Sequence, residues 1–271
     1  MKSYSPQHNC WEQTSAMADR GLQFGDGLFE TIRRRRDGGI PLEALHLHRL
    51  ERGLVALGFG EGLANDVSDI VKRALRGEVG AGSSGLKIVV TRGEGPRGYA
   101  APVPITPAIY LSEFDAPELL APPGISIGES HVRLGHQPLL AGFKHLNRLE
   151  QVLARQSFED GWDEALMFCQ QGLLIEGCMS NVFVKLDGQW ITPELSVCGV
   201  AGVVRQWLLN SHEEITITGI ERSSLARCEG MVMTNSLTGV RPVGNLSGVP
   251  LSIPAEALQW QAEYMRLFDE R

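Results

Sequence analysis

Residues 139 to 155 read LLAGFKHLNRLEQVLAR, and a single lysine, Lys144, stands between an apolar approach and the start of a helix. A lysine carries a strongly hydrated ammonium and about 2 kcal/mol of rotamer entropy, so its ordinary place is a surface. Taken alone, the stretch is satisfied by a snorkelling lysine with its stem buried and its head in water. Asn147 and Glu150 form an N-x-x-E pattern, which predicts that the helix starts at Asn147 within the span from about 146 to 159. Lys144 then precedes the helix instead of riding on its face, with Leu146, Leu149, Val152 and Leu153 as apolar anchors. A lysine so placed is a candidate nucleophile on a rigid support.

Outward from this stretch, strand and helix patterns mix without strict βαβ alternation, which predicts an α+β fold. Residues 22 to 36 read as two strands around Gly25-Asp26-Gly27. Residues 43 to 57 read as an amphipathic helix, with Leu47, Leu50, Leu54 and Leu57 at three- and four-residue spacing. A second helix, Val67 to Leu75, leads through GEVGAGSSG to strands at 86–92 and 108–114. Three prolines in DAPELLAPPG mark a linker, giving domains 1–114 and 123–271 joined by 115–122. Beyond it, strands are predicted at 125–134, 164–169, 173–177, 181–186 and 230–236. A helix follows GVAG (199–202), and another covers about 254–268. The first 18 residues show no clear Asn-Gly hairpin signal.

Composition excludes several function classes. A net charge of -7 argues against a protein that grips nucleic acid through a basic surface. The one basic run, Arg33 to Arg36, leads into Asp37-Gly38-Gly39 and reads as a solvated strand end rather than an anion trap. Five widely spaced cysteines without a CxxC pair fit neither a disulfide framework nor a zinc ribbon, and suit a reducing cytoplasm. The polar N-terminus has no apolar h-region, and no apolar run is long enough to span a bilayer, which predicts a cytoplasmic chain with no membrane partner.

The motifs carry chemistry unevenly. Gly93-Glu-Gly95-Pro-Arg-Gly98 satisfies GxGxxG after a strand, but prolines 102, 104 and 107 forbid the helix that a dinucleotide turn requires. What remains is a loop bearing Arg92, Arg97 and Tyr99, all suited to a carboxylate. His46 and His48 point about 200° apart on a helix and cannot share a metal, so no metal site is expected; His46 and Arg49 share a face. GVAG offers small residues and free N–H groups at a helix start, which suits an anion as well as a plain tight turn. Thr234-Asn235-Ser236 adds donors at a strand end. Glu176, in LLIEGCMSN, is a buried-looking acid that calls for a partner. Schiff-base lysine, acid and anion holders together are the parts of a pyridoxal phosphate site.

FGDGLFET (24–31), HLHRL (46–50), the lysine segment, EGCMSN (176–181) and GVAGVVRQ (199–206) occur in one order along nearly the whole chain. In these motifs the chain resembles the branched-chain-aminotransferase-like, fold-type IV pyridoxal 5'-phosphate enzymes. The resemblance implies a small N-terminal domain and a larger C-terminal domain with a mixed, barrel-like sheet. It implies that Lys144 bonds the cofactor, that Arg49, Val200, Ala201, Asn235 and Ser236 hold its phosphate, and that Glu176 pairs with the pyridine nitrogen. Ser180 and Asn181 line the cofactor, while Arg97, Tyr99 and Phe29 meet substrate. Three branches compete: branched-chain aminotransferases, D-amino acid aminotransferases, and lyases that release pyruvate from 4-amino-4-deoxychorismate to make p-aminobenzoate for folate. KHLNRLEQ, RGEGPRGY and the hydroxyl of Thr31, a candidate catalytic group, are similar to the lyase branch, with an aminotransferase as the alternative. The family pattern implies a homodimer.

Overall fold

The computed structural model describes residues 2–5, 10–12, 18–77, 84–119 and 124–269. Two compact units emerge: Met1–Ala116 with Phe143–Asn147, and Pro117–Gly142 with Arg148–Asp269. The division falls inside the proline-rich 115–122 stretch, of which residues 120–122 lie outside the described residues. Phe143–Asn147, read from sequence as part of the second domain, groups with the first unit.

The first unit contains β1 (Lys2–Ser5), β2 (Cys10–Glu12), α1 (Arg20–Phe24), β3 (Gly27–Arg33), α2 (Glu43–Ala56), α3 (Glu61–Gly77), β4 (Gly85–Thr91) and β5 (Ala108–Phe114). Its sheet has the order β2-β1-β5-β4-β3, with every neighbour antiparallel. Alternate residues send Leu28 and Ile32 of β3, and Leu86, Ile88 and Val90 of β4, to one face. There they pack with Leu47, Leu50 and Leu54 of α2 and Val67, Val71 and Leu75 of α3.

Three local expectations change. Residues 22–24 close a short helix, not a strand: Asp19 accepts from the Gly21 N–H at 2.6 Å, and Gly25 ends the turn at φ 67°. α3 starts at Glu61, well before Val67, because its first turns are polar and lack the periodic signal. β1 and β2 pair as antiparallel neighbours although the sequence between them offers no Asn-Gly turn.

The second unit contains β6 (Ile125–Leu134), α4 (Leu149–Gln156), β7 (Glu164–Cys169), β8 (Leu173–Gly177), β9 (Asn181–Leu186), β10 (Gln189–Pro193) and α5 (Val203–Ser211). After them come β11 (Thr216–Thr218), β12 (Ile220–Glu221), β13 (Cys228–Asn235), β14 (Gly239–Leu246), β15 (Val249–Pro250) and α6 (Ala255–Arg266). The ten-stranded sheet runs β11-β10-β9-β13-β14-β6-β7-β8-β12, with β15 on β14. It is mixed: β10/β11, β14/β6 and β6/β7 are parallel. β7 is buried along its whole length. Leu166 and Phe168 enter one core, and Met167 and Cys169 the other, which is why EALMFC reads as a continuous apolar run.

The helix beside Lys144 also differs from expectation. α4 begins at Leu149 after Arg148, without a side-chain cap. Asn147 Nδ2 donates instead to the Gly25 carbonyl at 3.3 Å, and Glu150 Oε1 accepts from the Gly135 N–H at 2.8 Å. Both members of the capping pattern are spent on tertiary bonds. Leu149, 76% exposed, and Val152 and Leu153, also exposed, are not anchors; Ala154 is the buried residue of this helix.

Candidate active site

In the first unit, the lysine segment lies along the edge of β3. The Phe29 N–H donates to the Lys144 carbonyl at 2.9 Å, the Leu146 N–H donates to the Gly27 carbonyl at 3.0 Å, and His145 bridges Leu28. This pairing explains why Phe143–Asn147 counts with the first unit. Half-buried Lys144 holds its Nζ 4.4 Å from the centre of the Phe29 ring, a cation–π contact. Phe29 and Thr31 alternate onto the same face of β3, opposite the core, and Thr31 pairs across with Lys87. Lys87 also reaches the Phe29 ring, at 5.3 Å.

On the core side of β3 sits Glu30, which the sequence reading did not single out. Arg49 grips it in a fork, Nε to Oε1 at 2.8 Å and Nη2 to Oε2 at 2.6 Å, and His46 Nδ1 lies 2.7 Å from Oε2. Burial alone would raise the Glu30 carboxyl, but the Arg49 charge and the His46 bond outweigh it and hold the group at about 2. Burial pushes His46 down, with Arg49 and Lys144 adding to the shift against the pull of Glu30. Glu30 is therefore an anion, His46 a neutral donor, and Arg49 is fixed in place. The only sequence signal was the shared helix face of His46 and Arg49.

The loop after β4 is anchored from α1. Arg20 donates to the carbonyls of Gly98 and Ala100 at 3.1 Å each, and of Tyr99 at 3.0 Å, while its Nε meets Asp26 Oδ2 at 2.8 Å. Arg92, suited to a carboxylate by its place in the sequence, is buried instead. It donates to the same Asp26 oxygen at 2.8 Å and to the Leu57 carbonyl at 2.6 Å, and lies over Phe59. Arg97 and Tyr99 remain exposed, Tyr99 by 85%, with its ring edge-on to Phe24.

In the second unit, Glu176 on β8 is 4% exposed. Its Oε2 accepts from the Val200 N–H at 2.8 Å, and Gln151 Nε2 approaches Oε1 at 3.4 Å. Gly199, at φ 87°, allows this approach, since a Cβ there would stand 2.6 Å from Ile175. Asn181 braces the same turn: its Nδ2 donates to the Val200 carbonyl at 2.7 Å and its Oδ1 accepts from Gly202 at 3.0 Å.

These bonds revise part of the expected phosphate cup. The N–H groups of Val200 and Ala201 go to Glu176 and to the Gly142 carbonyl, the latter at 3.0 Å. Asn235 Oδ1 is engaged by Leu237 and Thr238, and its Nδ2 donates to Ser180 Oγ at 3.3 Å. Ser180 in turn donates to buried Glu164 at 2.9 Å. The helix-start donors lie one step later, at Val203 and Val204, the first residues of α5, whose N–H groups have no acceptor within the helix. Buried Thr234 Oγ1 also lacks a hydrogen-bond partner among the described residues.

The sequence profile of the family described as amino-transferase class IV matches residues 27–246. An aminodeoxychorismate lyase of Vibrio harveyi is 35% identical over 85% of this chain and 87% of its own. The crystal structure of a 4-amino-4-deoxychorismate lyase from Pseudomonas aeruginosa superposes with a TM-score of 0.82 at 36% identity, covering 93% of this chain and 94% of that one. A hypothetical aminotransferase from Mycobacterium tuberculosis, in an alpha-ketoglutarate and PMP bound form, shares the fold at a TM-score of 0.77, with 18% identity and 99% coverage of both chains.

Proposed function

The chain belongs to the amino-transferase class IV family, and from that membership we propose that it is a 4-amino-4-deoxychorismate lyase, releasing pyruvate and leaving p-aminobenzoate for folate biosynthesis. The carrying observation is identity of 35% and 36% to two such lyases across most of the chain. The face of β3 that presents Thr31 beside the Lys144–Phe29 pair supports it.

Its cofactor is pyridoxal 5'-phosphate. The residues present fit this group: an amine at Lys144, a buried carboxylate at Glu176, a helix start at Val203, and the unsatisfied Thr234 hydroxyl. When bound, the cofactor supplies an aldehyde carbon for amines and a pyridine ring that accepts electrons. Lys144 would hold the cofactor through its amine, and as a free amine would take the proton from the amine-bearing ring carbon of the substrate. Thr31 positions or relays that proton. Glu176 keeps a proton on the pyridine nitrogen. Arg49, Ser236 and the N–H groups of Val203 and Val204 hold the phosphate, while Ser180, Asn181 and Asn235 keep the surrounding turns in shape. As the ring C–O bond breaks, the ring becomes aromatic, and the departing enolpyruvate gains a proton to become pyruvate. Phe29, Arg97 and Tyr99 orient the substrate.

The protein acts as a homodimer in the cytoplasm. Exposed Leu139, Leu149, Leu153 and Met179 support a partner copy, and four free cysteines among the described residues support a reducing compartment. Among the described residues no helix is long and apolar enough to cross a membrane. Supplying 4-amino-4-deoxychorismate to the holoenzyme tests the reading: pyruvate and p-aminobenzoate appear in equal amounts. Amino-group exchange between amino acids and 2-oxo acids without p-aminobenzoate would replace it with an aminotransferase.

A further inference from the structure

The run Arg33–Arg36 takes no part in the proposed reaction, and the structure does not leave it as a solvated strand end. Arg33 and Arg34 are both buried. Backbone bonds fix the hairpin: Arg34 donates to the Ser84 carbonyl and Arg35 to the Gly39 carbonyl, each at 2.8 Å. This forces the Arg34 side chain, 6% exposed, beneath the turn, where Nη2 would lie 3.7 Å from a Cβ placed on Gly38. Among the described residues its Nε and Nη1 have no hydrogen-bond partner. The facing carboxylate, Glu113, has its Oε1 4.0 Å from Nη1, an ion pair beyond hydrogen-bond reach. A buried guanidinium with unmade hydrogen bonds is costly, and with Nε and Nη1 closed to solvent, Nη2 beside Gly38 is the nitrogen a ligand can meet.

Above it opens a cavity of about 440 Å³, lined by the hairpin, the start of α2 and the end of α3. Its charged lining residues are Arg34, Arg36, Arg76, Asp37 and Glu43. Both carboxylates are already engaged. Asp37 Oδ1 accepts from the Gly39 N–H at 2.7 Å and pairs with Arg35 Nε at 3.4 Å, and Glu43 accepts from Arg76 at 3.0 Å. Arg34 and Arg36 are left as the cationic donors. We propose that this cavity is a second ligand site, taking a small molecule through a phosphoryl or carboxylate group held by Arg34 and Arg36. A guanidinium fork matches either oxyanion, and the volume suits a metabolite rather than a bare ion. All the lining residues belong to the first unit, and Glu43 opens the helix that carries His46 and Arg49.

The test is calorimetric titration of the holoenzyme with inorganic phosphate in one arm and succinate in another, with chloride holding ionic strength constant. At least one anion saturates a site without changing the cofactor's absorbance, and Arg36→Ser weakens it by about tenfold or more. Saturation by phosphate assigns the phosphoryl source, and saturation by succinate the carboxylate source. Arg36 is exposed, so its variant folds; Arg34→Gln, where it folds, loses the binding too. Failure of both anions to saturate, or binding to Arg36→Ser as tight as to wild type, overturns the proposal.

Discussion

Glu30 shows how a single side chain can hold several others. Its carboxylate, held at about 2 against an ordinary value of 4.5, binds fewer protons in the folded chain than in the unfolded one. The stability it contributes is present above the ordinary carboxylate range and is lost as pH falls toward 2. His46, lowered below 6.5, adds loss of stability as pH drops beneath its ordinary value, because the folded state resists protonating it. Denaturant midpoints measured from pH 5 down to pH 2 therefore fall more steeply for wild type than for Glu30→Gln; parallel slopes would contradict the assignment. Arg49→Leu leaves Glu30 buried without its main cation and costs about 3–5 kcal/mol in stability, read by equilibrium unfolding. Lys144 and Glu176 stand out in the sequence because their residue types are unusual for their surroundings, and Arg49 only through the helix face it shares with His46 and the family resemblance. Glu30 does not, since an acid within a strand pattern does not announce partners sixteen and nineteen positions away. Arg92 misled for the same reason: a loop-edge arginine looks available until Asp26 and Leu57 claim it.

At the scale of elements, periodicity located most strands and helices but not the bonds that end them. The N-x-x-E pattern at Asn147 is a sound capping signal, yet tertiary partners at Gly25 and Gly135 took both side chains and delayed α4. The GVAG stretch opens a helix as its residues suggest, but the N–H groups of Val200, Ala201 and Gly202 are committed to Glu176, Gly142 and Asn181, so the N–H groups without an acceptor within the helix begin at Val203. Asn181 is the brace of this turn. Asn181→Ala leaves the Gly202 N–H and the Val200 carbonyl without their partner, costs about 1–3 kcal/mol in unfolding free energy, and weakens cofactor binding. Arg20 performs the corresponding service for the loop 98–100. Arg20→Gln raises KM for the substrate while leaving kcat within a few-fold, since it loosens the loop bearing Arg97 and Tyr99 without touching Lys144. A kcat loss with KM unchanged would place Arg20 elsewhere in the mechanism.

For the whole molecule, composition and element order were enough to predict an α+β chain in two parts. The membership of Phe143–Asn147 in the first unit was hidden, because it rests on main-chain pairing with β3 that no side-chain pattern encodes. Exposed apolar residues on and near α4 predict a dimer by sedimentation, and Leu149→Glu with Leu153→Glu shifts it toward monomer. The central claim, that Lys144 carries the cofactor, has a built-in competitor. The chain has five lysines, at 2, 72, 87, 144 and 185, and Lys87 also reaches the Phe29 ring. Borohydride reduction of the holoenzyme, followed by peptide mapping, separates them. The phosphopyridoxyl mass is expected on the peptide containing Lys144 alone; its appearance on Lys87, or on no lysine, would overturn the assignment of Lys144.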